Sequence, residues 1–186
     1  MLEKILNNRV CVLYLLPLSF GLLSVFSFQP FNFSFINFFL LPFFFLLLVY
    51  INTRSKSIYR KKPYRRNLFI AGFAFGFGFY LSGIFWISYS LTFDESFKFL
   101  IPVAIILIPF FLSFFTGVTT LIVGQFLNYN FLSILLFSGS LALSDYIRGK
   151  ILTGFPWNLW SYSWSWFTEI LQILNFLGLY AFNLLT

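Results

Sequence analysis

Histidine is absent from the 186 residues, and cysteine occurs once, at Cys11. The first absence excludes an imidazole-based metal site or a proton switch near neutral pH. The second excludes an intrachain disulfide framework. Charge is scarce as well. Asp, Glu, Lys and Arg make up 9% of the chain, where a soluble domain carries about one quarter. A chain this poor in charge has no surface with which to cover a water-soluble core. A cleavable leader is not expected either. The first apolar run, residues 10–28, is longer than a signal core and lacks a small-x-small cleavage site.

What the chain has instead is long apolar runs. Apolar residues make up 60% of it, and 31 positions are Phe. Residues 10–28, 35–51, 68–91, 99–124, 131–146 and 167–186 each approach or reach a membrane-crossing length. Roughly 20 residues at 1.5 Å rise span a hydrocarbon core. The pattern predicts an all-α integral membrane domain over residues 1–186. About six transmembrane helices would form a bundle with an external aromatic loop. Pro17, Pro42 and Pro109 fall inside these runs, where neighbouring helices re-satisfy the freed carbonyls, and a kink is expected at Pro109.

The net charge of +7 is concentrated. Arg54, Lys56, Arg60, Lys61, Lys62, Arg65 and Arg66 all lie between the second and third runs. Short basic loops stay in the cytoplasm, so this loop predicts topology and not a nucleic-acid partner. The N-terminus, with Lys4 and Arg9, then lies inside. Asp94 and Glu95 lie outside, the turn at 128–130 inside, and residues 148–166 outside.

Three features admit a structural and a functional reading. Gly72, Gly76 and Gly83 share one helical face, which suits close helix packing or an acyl groove flanked by Phe73, Phe75, Phe77 and Phe79. Arg148 stands on the outer side, against the positive-inside bias. It suits an i,i+3 pair with Asp145 or a lipid phosphate. Trp157, Trp160, Trp164 and Trp166 form an aromatic belt or a binding surface. Period-two alternation from Trp160 to Trp166 fits a strand, while Trp157, Trp160, Trp164 and Phe167 would share a helix face. Cys11 has no base near it in the sequence and reads as a small apolar residue, not a nucleophile.

Several of these stretches resemble one family. Residues 72–91, GFAFGFGFYLSGIFWISYSL, are similar to the third span of apolipoprotein N-acyltransferases. The RG pair at Arg148-Gly149, followed by TGFPWNLWSYS, resembles that family's periplasmic signature more specifically. SFQPF at 27–31 and Gly178 before Tyr180 also fit. The chain departs from the pattern at Asp145, where the family often has Glu, and at Trp164-Ser165-Trp166.

The resemblance implies a multi-pass enzyme of the bacterial inner membrane with its N-terminus in the cytoplasm. It would move an acyl chain from a phospholipid donor to the N-terminal cysteine amine of a diacylated lipoprotein acceptor. In the family the chemistry runs through a thioester on Cys, with Glu as base and Lys at the oxyanion, in a nitrilase-like domain outside the membrane. That domain is expected to lie beyond these 186 residues. No catalytic residue, metal or cofactor is therefore assigned here, and the fragment alone is expected to be inactive. Arg148, Trp157, Trp160 and Tyr162 are the expected substrate-binding residues, joining an outward cation to dense aromatics at one depth. The same rings could instead dock the catalytic domain. The competing reading is a non-enzymatic scaffold or small transporter. Transport is disfavoured because Asp145 and Glu169 sit near span ends and no ionisable residue lies mid-span.

Overall fold

A computed structural model describes residues 6–55, 64–151 and 158–185, and no strand occurs among them. The longest helices form where apolar residues run uninterrupted. They are α1 (Cys11–Ser27), α2 (Asn37–Ser55), α3 (Tyr64–Gly83), α4 (Ile101–Val123) and α5 (Phe131–Arg148). Three short helices follow: α6 (Thr168–Leu171), α7 (Leu174–Leu177) and α8 (Leu179–Leu185). The helices containing α2, α4 and α5 are long and apolar enough to cross a membrane. They run Ser34–Arg54, Glu95–Phe126 and Phe131–Arg148. α4 continues unbroken through Pro109, whose carbonyl accepts from Ser113 Oγ.

Two expected runs are not straight helices. The run 68–91 stops as an α-helix at Gly83 and bends by 43° into a tight three-residue-per-turn segment, Phe85–Thr92. The run 167–186 is broken by 119° between α7 and α8. Gly178 sits at that break with φ 74°, a conformation glycine adopts without a steric penalty. This last stretch has the form of a broken span or a re-entrant pair.

Glycine sets the interhelical distances. A Cβ on Gly72 would lie 1.9 Å from Thr120 Oγ1 of α4. That hydroxyl donates to the Leu68 carbonyl at 2.9 Å, so the two helices are bonded as well as close. On the other side of α3, a Cβ on Gly78 would meet the Leu18 carbonyl at 2.3 Å, and one on Gly21 the Phe75 carbonyl at 2.1 Å. The glycine face of α3 therefore packs helices and does not form an acyl groove. Phe75 and Phe79 are buried, with Phe75 stacked on Phe44 at 4.0 Å and 7°.

The outward faces are apolar too. Ile106, Leu107, Phe110 and Phe111 of α4 are exposed. Such a band suits hydrocarbon and not water. Charge is segregated to the ends. At one end Arg9 donates to Asn67 at 3.3 Å, Arg54 to the Leu6 carbonyl at 2.9 Å, and Arg65 to Gln125 at 3.0 Å. Cys11 opens α1 near this basic end. Lys56, Arg60, Lys61 and Lys62 lie outside the described residues. At the opposite end stand Asp94, the Glu95–Lys98 pair, the α1–α2 turn and the aromatic segment around Trp160.

Candidate functional site

α5 begins on Asn130, whose side chain caps the helix by accepting from the Ser133 N–H at 2.8 Å. It ends at Arg148, one turn after Asp145. Arg148 Nη2 donates to Asp145 Oδ1 at 3.0 Å. Both residues are buried, Arg148 to 1% exposure. The second carboxylate oxygen accepts from Asn183 Nδ2 of α8 at 2.7 Å. Asn183 Oδ1 in turn accepts the Ser161 N–H at 2.9 Å. The Arg148 guanidinium lies 5.2 Å from the ring centre of Tyr80 on α3. Four segments therefore meet on one ion pair. Burying two charges is costly, and the additional hydrogen bonds and the ring face offset that cost. Tyr180 adds its hydroxyl against Gly149, where a Cβ would lie 2.1 Å away.

The segment Trp160–Trp164 is neither the strand nor the α-helix that its spacing suggests. It is a tight helix with three residues per turn. Residues three apart therefore share a side. Trp160 and Ser163 both point into the core. Trp160 stacks on Phe79 at 4.4 Å and 14°, and lies 6.1 Å from Phe75 and 6.2 Å from Phe28. Ser34 Oγ donates to the Ser163 carbonyl, tying the segment to the start of α2. Trp164 packs edge-on against Phe38 at 5.8 Å.

Tyr162 and Ser165 occupy another side and face a cavity of about 870 Å³. Gln29, Ser82, Trp86 and Asn158 are also on its wall. Its volume falls within the usual range for small-molecule sites. Gln29 Nε2 donates to Ser165 Oγ at 3.2 Å and joins the α1–α2 turn to the aromatic segment. Asn158 takes a left-handed conformation, φ 52°, which Asn tolerates better than most residues. Its amide presses on Gly83, where a Cβ would lie 1.7 Å from Nδ2. That nitrogen has no hydrogen-bond partner among the described residues. Burial pushes the Tyr162 phenol above its usual range, Tyr180 adds to the rise, and the Arg148 charge opposes it. The hydroxyl is thus neutral at physiological pH, a donor and acceptor at the cavity wall.

The expected site residues are distributed. Tyr162 lines the cavity. Trp160 sits inside the bundle, and Arg148 lies behind the segment with Asp145 and Tyr80 as neighbours. The Arg148 guanidinium is turned into the bundle and does not line the cavity. Trp157 lies outside the described residues. Sequence reasoning missed Asn158, Gln29, Tyr80 and Asn183. For Asn183 the available signal was a lone amide in the apolar run 179–185, an expensive residue at membrane depth unless it is bonded.

Residues 20–186 match the family model described as the apolipoprotein N-acyltransferase N-terminal domain. The chain is similar to the apolipoprotein N-acyltransferase of Bradyrhizobium diazoefficiens, 31% identical over 173 residues, covering 92% of this chain and 31% of that protein. It is also similar to that of Rhodopseudomonas palustris, 35% identical over 118 residues, covering 63% of this chain and 22% of the relative. The corresponding protein of Brucella melitensis is 34% identical over 126 residues, covering 66% of this chain and 24% of its own length. The chain thus spans between 22% and 31% of the length of these relatives.

Proposed function

The chain belongs to the family of apolipoprotein N-acyltransferase N-terminal domains, and from that premise we propose that it is the membrane part of such an enzyme, holding the phospholipid acyl donor. The observation that carries this reading is the cavity at the aromatic end, with Tyr162 and Asn158 on a wall otherwise rich in Phe and Trp. A phospholipid offers oxygens at the glycerol and phosphate level and apolar chains below it. The neutral Tyr162 hydroxyl and the Asn158 amide would donate to those oxygens. Trp160 would anchor the segment from inside the bundle against Phe28, Phe75 and Phe79, with Trp157 assigned to the same loop by sequence alone. Arg148 would act from behind, holding the segment in place through Asp145 and Asn183.

In this reading the chain binds and orients the donor, and the acyl-transfer chemistry belongs to residues outside these 186. Cys11 sits near the opposite, basic end and takes no part. The basic end faces the cytoplasm and the aromatic end faces outward from an inner membrane. The lipoprotein acceptor would be engaged by the catalytic domain above that end.

The test is transfer in cells depleted of their own apolipoprotein N-acyltransferase. The 186 residues alone should move no acyl group from phospholipid to lipoprotein. Joined to the remaining length of the Rhodopseudomonas palustris relative, they should restore transfer. Tyr162→Phe combined with Asn158→Leu in the joined protein should lower the acyl-donor step about 10-fold or more, as expected for two lost hydrogen bonds. Transfer by the chain alone, or an unchanged rate in a well-folded double variant, overturns the reading.

A further inference from the structure

A second concavity lies on another side of the aromatic segment. It is a groove of about 370 Å³ between α2, α5 and α8. Asn37, Leu41 and Phe45 follow one face of α2, and Phe137 and Leu141 face them from α5. Trp160 and Asn183 reach its wall at the aromatic end. From Asn37 to Phe45 the helix rises about 12 Å, so the groove runs along the bilayer normal for much of one leaflet. It opens outward past Phe38, Ile134 and Leu185, which are all exposed.

One group in this groove is out of keeping with the rest. Asn37 is 5% exposed, yet neither its amide nitrogen nor its amide oxygen has a hydrogen-bond partner among the described residues. A buried amide left without partners costs stability and calls for an occupant. The side chain offers both a donor and an acceptor. It stands at the first turn of α2, three residues after Ser34, whose hydroxyl donates to the Ser163 carbonyl. Every other long side chain named along the groove below it is apolar. The complement of that arrangement is an amphiphile with a hydrogen-bonding linkage at the interface and a hydrocarbon chain below.

We infer that this groove holds one acyl chain of a bilayer phospholipid, with the ester or glycerol oxygens of that lipid bonded to Asn37. The site is distinct from the Tyr162 cavity: the two share no lining residue. It does not depend on the acyl-transfer reading, because it requires only that the helices lie in a bilayer. Its lipid is a resident one that fills the gap between α2 and α5 and satisfies the buried amide.

The test uses the protein in its own membrane. Phosphatidylethanolamine carrying a diazirine midway along one acyl chain is incorporated, irradiated, and the labelled positions are mapped. Labelling should concentrate at Leu41, Phe45 and Leu141, above the level on the lipid-facing α4 residues Ile106 and Phe111. Ser138→Phe, which fills the groove from its half-buried edge, should abolish that excess. Asn37→Leu removes the amide without leaving a hole. It should reduce the phospholipid retained through detergent purification about tenfold, the scale of one recovered hydrogen bond. Mapping on the unaltered protein needs no variant to fold. Groove labelling no greater than on α4 would reduce the lipid to ordinary solvent and overturn the inference. Equal retention by a folded Asn37→Leu variant would overturn it as well.

Discussion

Arg148 donates to Asp145 across one helical turn at 3.0 Å, and both side chains are shut away from solvent. An exposed pair at this spacing contributes about 0.3–0.5 kcal/mol. A buried one behaves differently, because removing one partner strands the other charge. Arg148→Ala or Asp145→Ala should each lower stability by about 3–5 kcal/mol. Replacing both with apolar residues of similar volume, Asp145→Leu with Arg148→Met, should recover most of that loss. Thermal unfolding in detergent of the two singles and the double measures it. Additive losses in the double would show that the pair does not act as a unit.

The glycine contacts make a second prediction with its own control. Gly72→Val should cost about 1–3 kcal/mol or more from overpacking, since the new atoms enter the space of Thr120. Gly21→Ala should be as damaging for a smaller change, because its neighbour is the Phe75 backbone and cannot rotate away. Gly139→Ala should be nearly neutral, its nearest contact being Leu184 Cδ1 at 3.8 Å. Folded yield and unfolding temperature of the three variants decide it. A damaging Gly139→Ala would show that contact distance is not what ranks them.

The gathering of arginines at one end predicts a topology. Arg9, Arg54 and Arg65 bond neighbouring groups at one end of the bundle. A reporter fused at Lys61 should read cytoplasmic, and one at Lys98 or Lys150 should read external. The reverse pattern at Lys61 would place the aromatic end inside and remove the basis of the proposed donor site.

The sequence disclosed the helices where a single physical rule governs. Length and hydropathy place α2, α4 and α5, and small residues on one face of α3 anticipate its close approach to α4. It was less informative where two rules compete. Residues 68–91 carry no charge, yet the α-helix stops at Gly83, against which the Asn158 amide is pressed. The aromatic segment alternates with period two and also satisfies a helical face. Its actual three-residue turn follows from Trp160 finding the Phe79 ring and Ser163 finding Ser34. Neither partner is near in sequence. The i,i+3 pairing of Arg148 with Asp145 is visible in the sequence, but its burial is not. That burial depends on Asn183 and Tyr80, which lie 35 and 68 positions away in the chain.

Trp160 and Tyr162 separate structure from binding within one turn. Trp160 is enclosed by Phe28, Phe75 and Phe79, so Trp160→Ala should cost about 3–5 kcal/mol in stability whatever lipid is present. Tyr162 is 37% exposed on the cavity wall, and Tyr162→Phe should leave the unfolding temperature near neutral pH almost unchanged. The two also differ in pH response. Burial raises the Tyr162 phenol above its ordinary 10.0, so the folded state favours the neutral form. That contribution is fully present below about pH 10, the unfolded value, and is lost as pH rises through the folded one. The unaltered protein should therefore lose unfolding temperature more steeply above about pH 10 than Tyr162→Phe does. Parallel curves for the two proteins would mean that Tyr162 titrates as a free phenol. The cavity wall would then be wet at that point, and a hydrogen bond from Tyr162 to a lipid oxygen would compete with water and contribute little.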